Sequence, residues 1–236
     1  MILGAAQANL DSDREVSLYW RWIAIACLTP MTVGLLNGFY LGVLFGIHPA
    51  LFWIADALHF VGLTVFAVVV FATKLNLRPR DYGFVPPSPK YDWAQFVLLT
   101  LLIFGANALL YGLARGFALQ FFPIGGTSFD YTIALAPSGP LRLLGTLYLC
   151  FTAGFAEEII FRAIPWLVFR KLSNRPMLPY VICTAILFGL IHWEGGPSSV
   201  ISATAIGVTF AWIYGRIGNI WPLVVSHALI DYLVFR

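Results

Sequence analysis

The fold class this sequence predicts is all-α: a polytopic membrane bundle of about seven transmembrane helices with a cytoplasmic N-terminus. Three observations predict it. Of 236 residues, 60% are hydrophobic and only 11% charged, with mean hydropathy +0.84, whereas a soluble domain carries about 25% charged residues. Apolar runs recur at close to the ~20 residues that a helix needs to cross a bilayer. Lysine and arginine fall unevenly between alternate connections, as cytoplasmic loops require.

In chain order the candidate spans are Trp22 to Ile47, Leu51 to Thr73, Trp93 to Leu113, Leu143 to Phe169, Leu178 to Trp193, Val200 to Ile217 and Ile220 to Phe235. The fifth and seventh are short, and the fourth contains charges. A half-span within 117–135 competes with a loop, which Pro123, Gly125, Gly126 and Asp130 favour. With the N-terminus inside, the cytoplasmic segments hold ten basic residues: Arg14, Arg21, Lys74, Arg78, Arg80, Lys90, Arg170, Lys171, Arg175 and Arg216. The outer segments hold Arg115, Arg142 and Arg236. The opening MILGAAQANLDSDREVSLY lacks the basic, apolar and small-residue order of a signal peptide, so an uncleaved first span is expected. The closing YLVFR carries no prenylation signal.

A net charge of +3 gives no reason to expect nucleic acid as a partner. Cys27, Cys150 and Cys183 lie in apolar segments without CxxC spacing and are expected to be small core residues. Small residues recur every fourth position at Gly34, Gly38, Gly42 and Gly46, and again at Ala203, Gly207, Ala211 and Gly215. Each strip allows a neighbouring backbone to approach; internal packing is expected, with dimerisation as the alternative. RPRDYGFVPPSPKYDW is a proline-rich cytoplasmic loop with no assigned chemistry.

Chemistry concentrates in FAEEIIFR, Phe155 to Arg162, inside the fourth span. An ionised side chain at mid-bilayer costs at least ~2.5–3.5 kcal/mol on insertion scales and is normally partnered and functional. Glu158 and Arg162 stand at i and i+4, about 40° apart on a helical wheel, in the favoured acid-before-base order. Glu157 is rotated roughly 100° from Glu158, so Arg162 can satisfy one carboxylate while the other points elsewhere. A helix-locking salt network accounts for the three residues equally well by itself. The histidines shift the balance. LFGLIHWEGG places His192 one turn after Phe188, and WPLVVSHALIDYL places His227 and Asp231 at i and i+4. Converging in one cavity, such groups could deprotonate a water and stabilise an oxyanion. Asp56 and His59 form a further polar pair, for which structural packing is expected. Glu194 is expected to be solvated in its Gly-rich loop, and Asn37 and Asn107 to bond to neighbouring helices.

EExxxR, FxxxH and HxxxN/D, in this order on separate late helices, resemble the CPBP intramembrane proteases, which include the CAAX prenyl endopeptidase Rce1 and bacterial Abi-type proteins. Here they read Glu157-Glu158-Ile-Ile-Phe-Arg162, Phe188-Gly-Leu-Ile-His192 and His227-Ala-Leu-Ile-Asp231. The resemblance divides the chain into 1–142, helices and loops without a recognised motif, and 143–236, CPBP-like catalytic helices. It implies an intramembrane endopeptidase acting on membrane-associated proteins, prenylated CAAX-type chains among the candidate substrates. Glu157 and His192 would activate the water, His227 and Asp231 would support the oxyanion, and Glu158, Arg162 and Phe188 would stand behind them. No covalent intermediate and no cofactor are expected. Zinc is the alternative, held by Glu157, His192 and His227, although there is no HExxH helix. Where the prenyl endopeptidases carry Asn, this chain has Asp231; an ionised carboxylate only accepts hydrogen bonds. Either Asp231 orients and charges His227, or Asp231 is itself protonated.

Two other classes use similar residues. One is a non-catalytic scaffold or bacteriocin-immunity protein that retains the fold. The other is a proton-coupled transporter, against which stands the lack of an internal repeat. On each reading the partners are the lipid bilayer and a membrane protein or lipidated peptide. The expected location is integral to the membrane, the plasma (inner) membrane in a prokaryote.

Overall fold

The computed structural model describes residues 21–22, 24–25, 28–85, 93–122 and 131–235. Among them every regular element is helical. Residues 28–35 are helical and lead into α1, Asn37–Ile47. The chain then breaks at His48, whose extended backbone and ring cap the next helix by accepting from Ala50 N at 3.1 Å, with Pro49 in the first turn, where its missing N–H costs nothing. The rod α2, Pro49–Leu75, contains a π-helical stretch at Ala57–Leu63. After a 3-10 turn at Pro79–Tyr82 comes α3, Trp93–Leu119. The long α4, Gly139–Lys171, also widens into a π stretch, Ile159–Ala163. Pro165 lies in the first turn after it. There follow α5, Met177–Leu190; a 3-10 turn, Trp193–Gly195; α6, Gly196–Ile217; and α7, Trp221–Phe235.

α2, α3, α4 and the Trp193–Ile217 unit are each long and apolar enough to cross a membrane; α5 and α7 are shorter apolar helices. The lipid-facing surface follows from sequence. Leu98, Leu102, Leu109 and Leu113 on α3, and Leu178, Ile182, Ile186 and Leu190 on α5, are exposed. Apolar patches of that extent are untenable in water and natural in hydrocarbon. The protein is therefore an integral membrane protein. Cys183 is on this outer face and Cys150 is buried, so only Cys150 meets the core expectation; Cys27 lies outside the described residues.

The late helices form the centre. α5 packs along α6, α7 along α4 and α3, and α3 along α6. The strip Ala203, Gly207, Ala211, Gly215 makes the α5–α6 approach possible: a Cβ at Gly207 would stand 3.1 Å from Ala185 Cα, and one at Gly215 2.8 Å from Met177. This is internal packing, as the spacing suggested. The earlier strip behaves differently, because the helix is interrupted at Leu36. Gly38 faces Glu194, while Gly46 has nothing within 4 Å. Asn107 does bridge helices, accepting from Thr209 on α6 while donating to Ile103 O at 2.8 Å. Asn37 bonds instead to Tyr131, in the 3-10 turn before α4.

A Cβ at Gly189 would collide with Thr204 Oγ1 and sit 2.9 Å from Val200 O. Gly189→Ala should therefore destabilise by about 1–3 kcal/mol, the range for overpacking, seen as a lower melting temperature in detergent. Gly105→Ala, in open space, should leave the melting temperature unchanged.

Candidate active site

The polar centre is built on α4 where the α-helix gives way to the π stretch. Glu158 closes the regular helix, and Arg162 lies inside the wide turn. Arg162 Nε stands 3.4 Å from Glu158 Oε2, and both side chains are 0% exposed. The guanidinium makes no hydrogen bond among the described residues. Aromatic faces take their place: its Cζ lies 4.3 Å from the Phe188 ring centroid and 5.8 Å from that of Phe210. A cation over a desolvated ring gains about 2 kcal/mol or more.

The other oxygen of Glu158 holds a histidine. His227 Nδ1 donates to Glu158 Oε1 at 2.9 Å. That leaves Nε2 between two further carboxylates, 3.6 Å from Glu157 Oε2 and 3.7 Å from Asp231 Oδ1. The close partner that fixes the ring is thus Glu158, a contact the sequence reading did not foresee; Asp231 approaches the opposite nitrogen. His192 Nδ1 donates to Phe188 O at 2.7 Å. In a neutral ring this fixes the tautomer with the lone pair on Nε2. Phe188 is the common support, with its ring 4.7 Å from His192 and 5.8 Å from His227.

Glu157, His192, His227 and Asp231 all line one cavity of about 490 Å³. Exposure separates the carboxylates. The Glu157 and Asp231 side chains are 12% and 21% exposed, whereas Glu158 and Arg162 are sealed. Glu157 Oε2 has no hydrogen-bond partner among the described residues. The predicted division therefore appears in the geometry: Glu158 with Arg162, and Glu157 turned to the cavity. Phe188 lies beneath.

Other lining residues come from the N-terminal elements. Asp56 and His59, at the edge of the π stretch in α2, reach the same cavity, as do Tyr111 and Arg115 of α3. Glu194 also lines it and is buried, 8% exposed, accepting from Tyr131 at 3.2 Å. The expectation of a solvated Glu194 fails because the Tyr131 turn and Gly38 close over it. Phe210 and Glu194 carried no motif; only their placement opposite Arg162 and Tyr131 marks them. Among the described residues no three His, Cys, Asp or Glu side chains are disposed to hold a metal ion.

The fold is that of a polytopic membrane protein with a buried carboxylate–imidazole cluster among its late helices. Residues 139–233 match the family described as type II CAAX prenyl endopeptidase Rce1-like. That match covers the C-terminal helices, where the three motifs lie. Neither the curated proteins nor the solved structures gave a match.

Breaking the buried pair should be costly, because an uncompensated charge remains. Glu158→Ala should lower stability by about 3–5 kcal/mol, read as a large drop in detergent melting temperature. Glu158→Leu combined with Arg162→Met should recover most of that loss, since it removes both charges together.

Proposed function

We propose that this protein is an intramembrane endopeptidase of about seven spans with a cytoplasmic N-terminus, hydrolysing peptide bonds of membrane-associated proteins by direct attack of water. The observation that carries the reading is the convergence of Glu157, His192, His227 and Asp231 on one cavity inside the family-matched helices.

In this mechanism Glu157 accepts a proton from water as it attacks the scissile carbonyl. His192 shares that task through Nε2, because its Nδ1–H is committed to Phe188 O. His227, held by Glu158, donates through Nε2 to the developing oxyanion when it is protonated. Asp231, 3.7 Å away, supports the charge on that ring. The collapsing intermediate takes its proton back from Glu157, which returns to the carboxylate form. Preorganised donors in a water-poor site are worth far more than in bulk solvent. No metal takes part. The substrate is a membrane-anchored chain; prenylated CAAX-type chains are one class, and the membrane is the plasma (inner) membrane in a prokaryotic host.

Glu157→Gln should abolish cleavage while leaving folding intact. Comparison of protein termini in host membranes carrying wild type or Glu157→Gln, at matched expression, should reveal termini that depend on Glu157. Identical termini under several growth conditions would instead indicate a non-catalytic scaffold. Asp231→Asn should slow cleavage and alter the pH–rate profile. Full activity with an unchanged profile rules out an essential carboxylate at that position.

A further inference from the structure

Three of the membrane spans end in positive charge, and their ends meet. α2 runs to Leu75, α4 to Lys171 and α6 to Ile217, with Lys74, Arg170, Lys171 and Arg216 in the last turns. A cation there complements the partial negative charge of a helix C-terminus, which accounts for each residue singly. It does not account for how the chain gathers them. Arg170 and Lys171 line a recess of about 390 Å³ together with Arg80, which arrives from the 3-10 turn after α2. Gly218, just past α6, lines it too. The recess shares no lining residue with the carboxylate–imidazole cavity.

Its charge is one-sided. Asp81 is the sole carboxylate among the described lining residues, and its Oδ2 accepts from Arg78 N at 2.6 Å, closing the 3-10 turn. Among the described residues every ion pair within 4 Å involves Arg162 or His227, so Arg80, Arg170 and Lys171 are without a carboxylate partner. All three are exposed, and like charges held around one space favour an anion between them. A guanidinium offers a planar fork that matches two phosphate oxygens, and an ammonium adds a point charge.

Other walls of the recess are apolar. Leu77, Trp166 and Leu167 line it half-buried, and Tyr214 lines it fully buried. A soluble anion has no use for such walls, whereas a phosphate that carries hydrocarbon does. The ends of membrane spans are also the level at which headgroups lie and at which tryptophan is enriched.

We propose that this recess seats the headgroup of an anionic phospholipid. Arg80, Arg170 and Lys171 hold the phosphate, while Leu77, Trp166 and Leu167 cover the glycerol and the first methylenes. Basic pockets between transmembrane helices take anionic headgroups in this way. The bound lipid bridges the turn after α2 to the end of α4, so it stabilises the bundle. Nothing in this assignment depends on hydrolysis in the other cavity.

The test uses full-length protein in a neutral detergent, offered phosphatidylglycerol or phosphatidylcholine. The choline of the latter would bring a cation into the same recess. Native mass spectrometry counts retained lipid, and thermal unfolding reads stability. Wild type should hold phosphatidylglycerol roughly 100-fold more tightly than phosphatidylcholine, the order expected for three cations at a membrane surface, and should melt higher with it. Arg80→Gln, Arg170→Gln and Lys171→Gln combined should abolish the preference. Arg175→Gln with Arg216→Gln, which removes two exposed cations that do not line the recess, should keep it. If the triple variant does not fold, Arg80→Gln alone serves, with retention about fivefold weaker. Equal retention of both lipids by wild type overturns the proposal. So does an equal loss in the Arg175 and Arg216 variant, which would reduce the effect to general surface charge. Melting raised as much by inorganic phosphate as by phosphatidylglycerol overturns the lipid assignment.

Discussion

A single buried ion pair sets the terms for the rest of this structure. Arg162 is sealed from solvent and makes no hydrogen bond among the described residues, so it depends on Glu158 for charge and on Phe188 and Phe210 for company. Because Glu158 must stay there for Arg162, its second oxygen is fixed in space and becomes the anchor of His227. Phe188 in turn supports both histidine rings and accepts the His192 proton through its carbonyl. The groups that face the cavity are thus held by groups that do not. That is how a site gains precision from packing: the rotamers of the reacting residues are locked by neighbours already committed elsewhere.

The sequence made part of this visible, for definite reasons. Glu158 and Arg162 were readable as partners because four residues is a local distance, and Glu157 as the odd carboxylate because adjacent residues diverge on any helix. The π turn between them was not readable, since a wheel assumes one uniform period. Pairing survived because an ion pair tolerates the added width. Glu158 and His227 lie 69 positions apart, and no local rule reports such a contact. Phe210 sits in an ordinary apolar run and Glu194 in a glycine-rich loop. Their roles come from what folds over them. Four long spans were legible by composition. Their ends were not: α3 extends to Leu119 and α4 begins at Gly139, each several residues beyond the purely apolar stretch.

The motif-bearing helices do not enclose the cavity alone. α2 and α3 contribute Asp56, His59, Tyr111 and Arg115 to its wall, although the family match starts only at residue 139. The groups proposed to react and much of the wall around them therefore come from different parts of the sequence. Selectivity can change in the first half while the chemistry in the second stays fixed.

The two helices that bring the histidines are shorter than the four long membrane-crossing ones. α5 has 14 residues and α7 has 15, so each is about 21–23 Å long at 1.5 Å per residue, against a hydrocarbon core of about 30 Å. Local thinning is one way a bilayer accommodates a segment shorter than its hydrocarbon core. Thinning along the flank that carries His192 and His227 would bring water and headgroups toward a site that otherwise lies deep in oil.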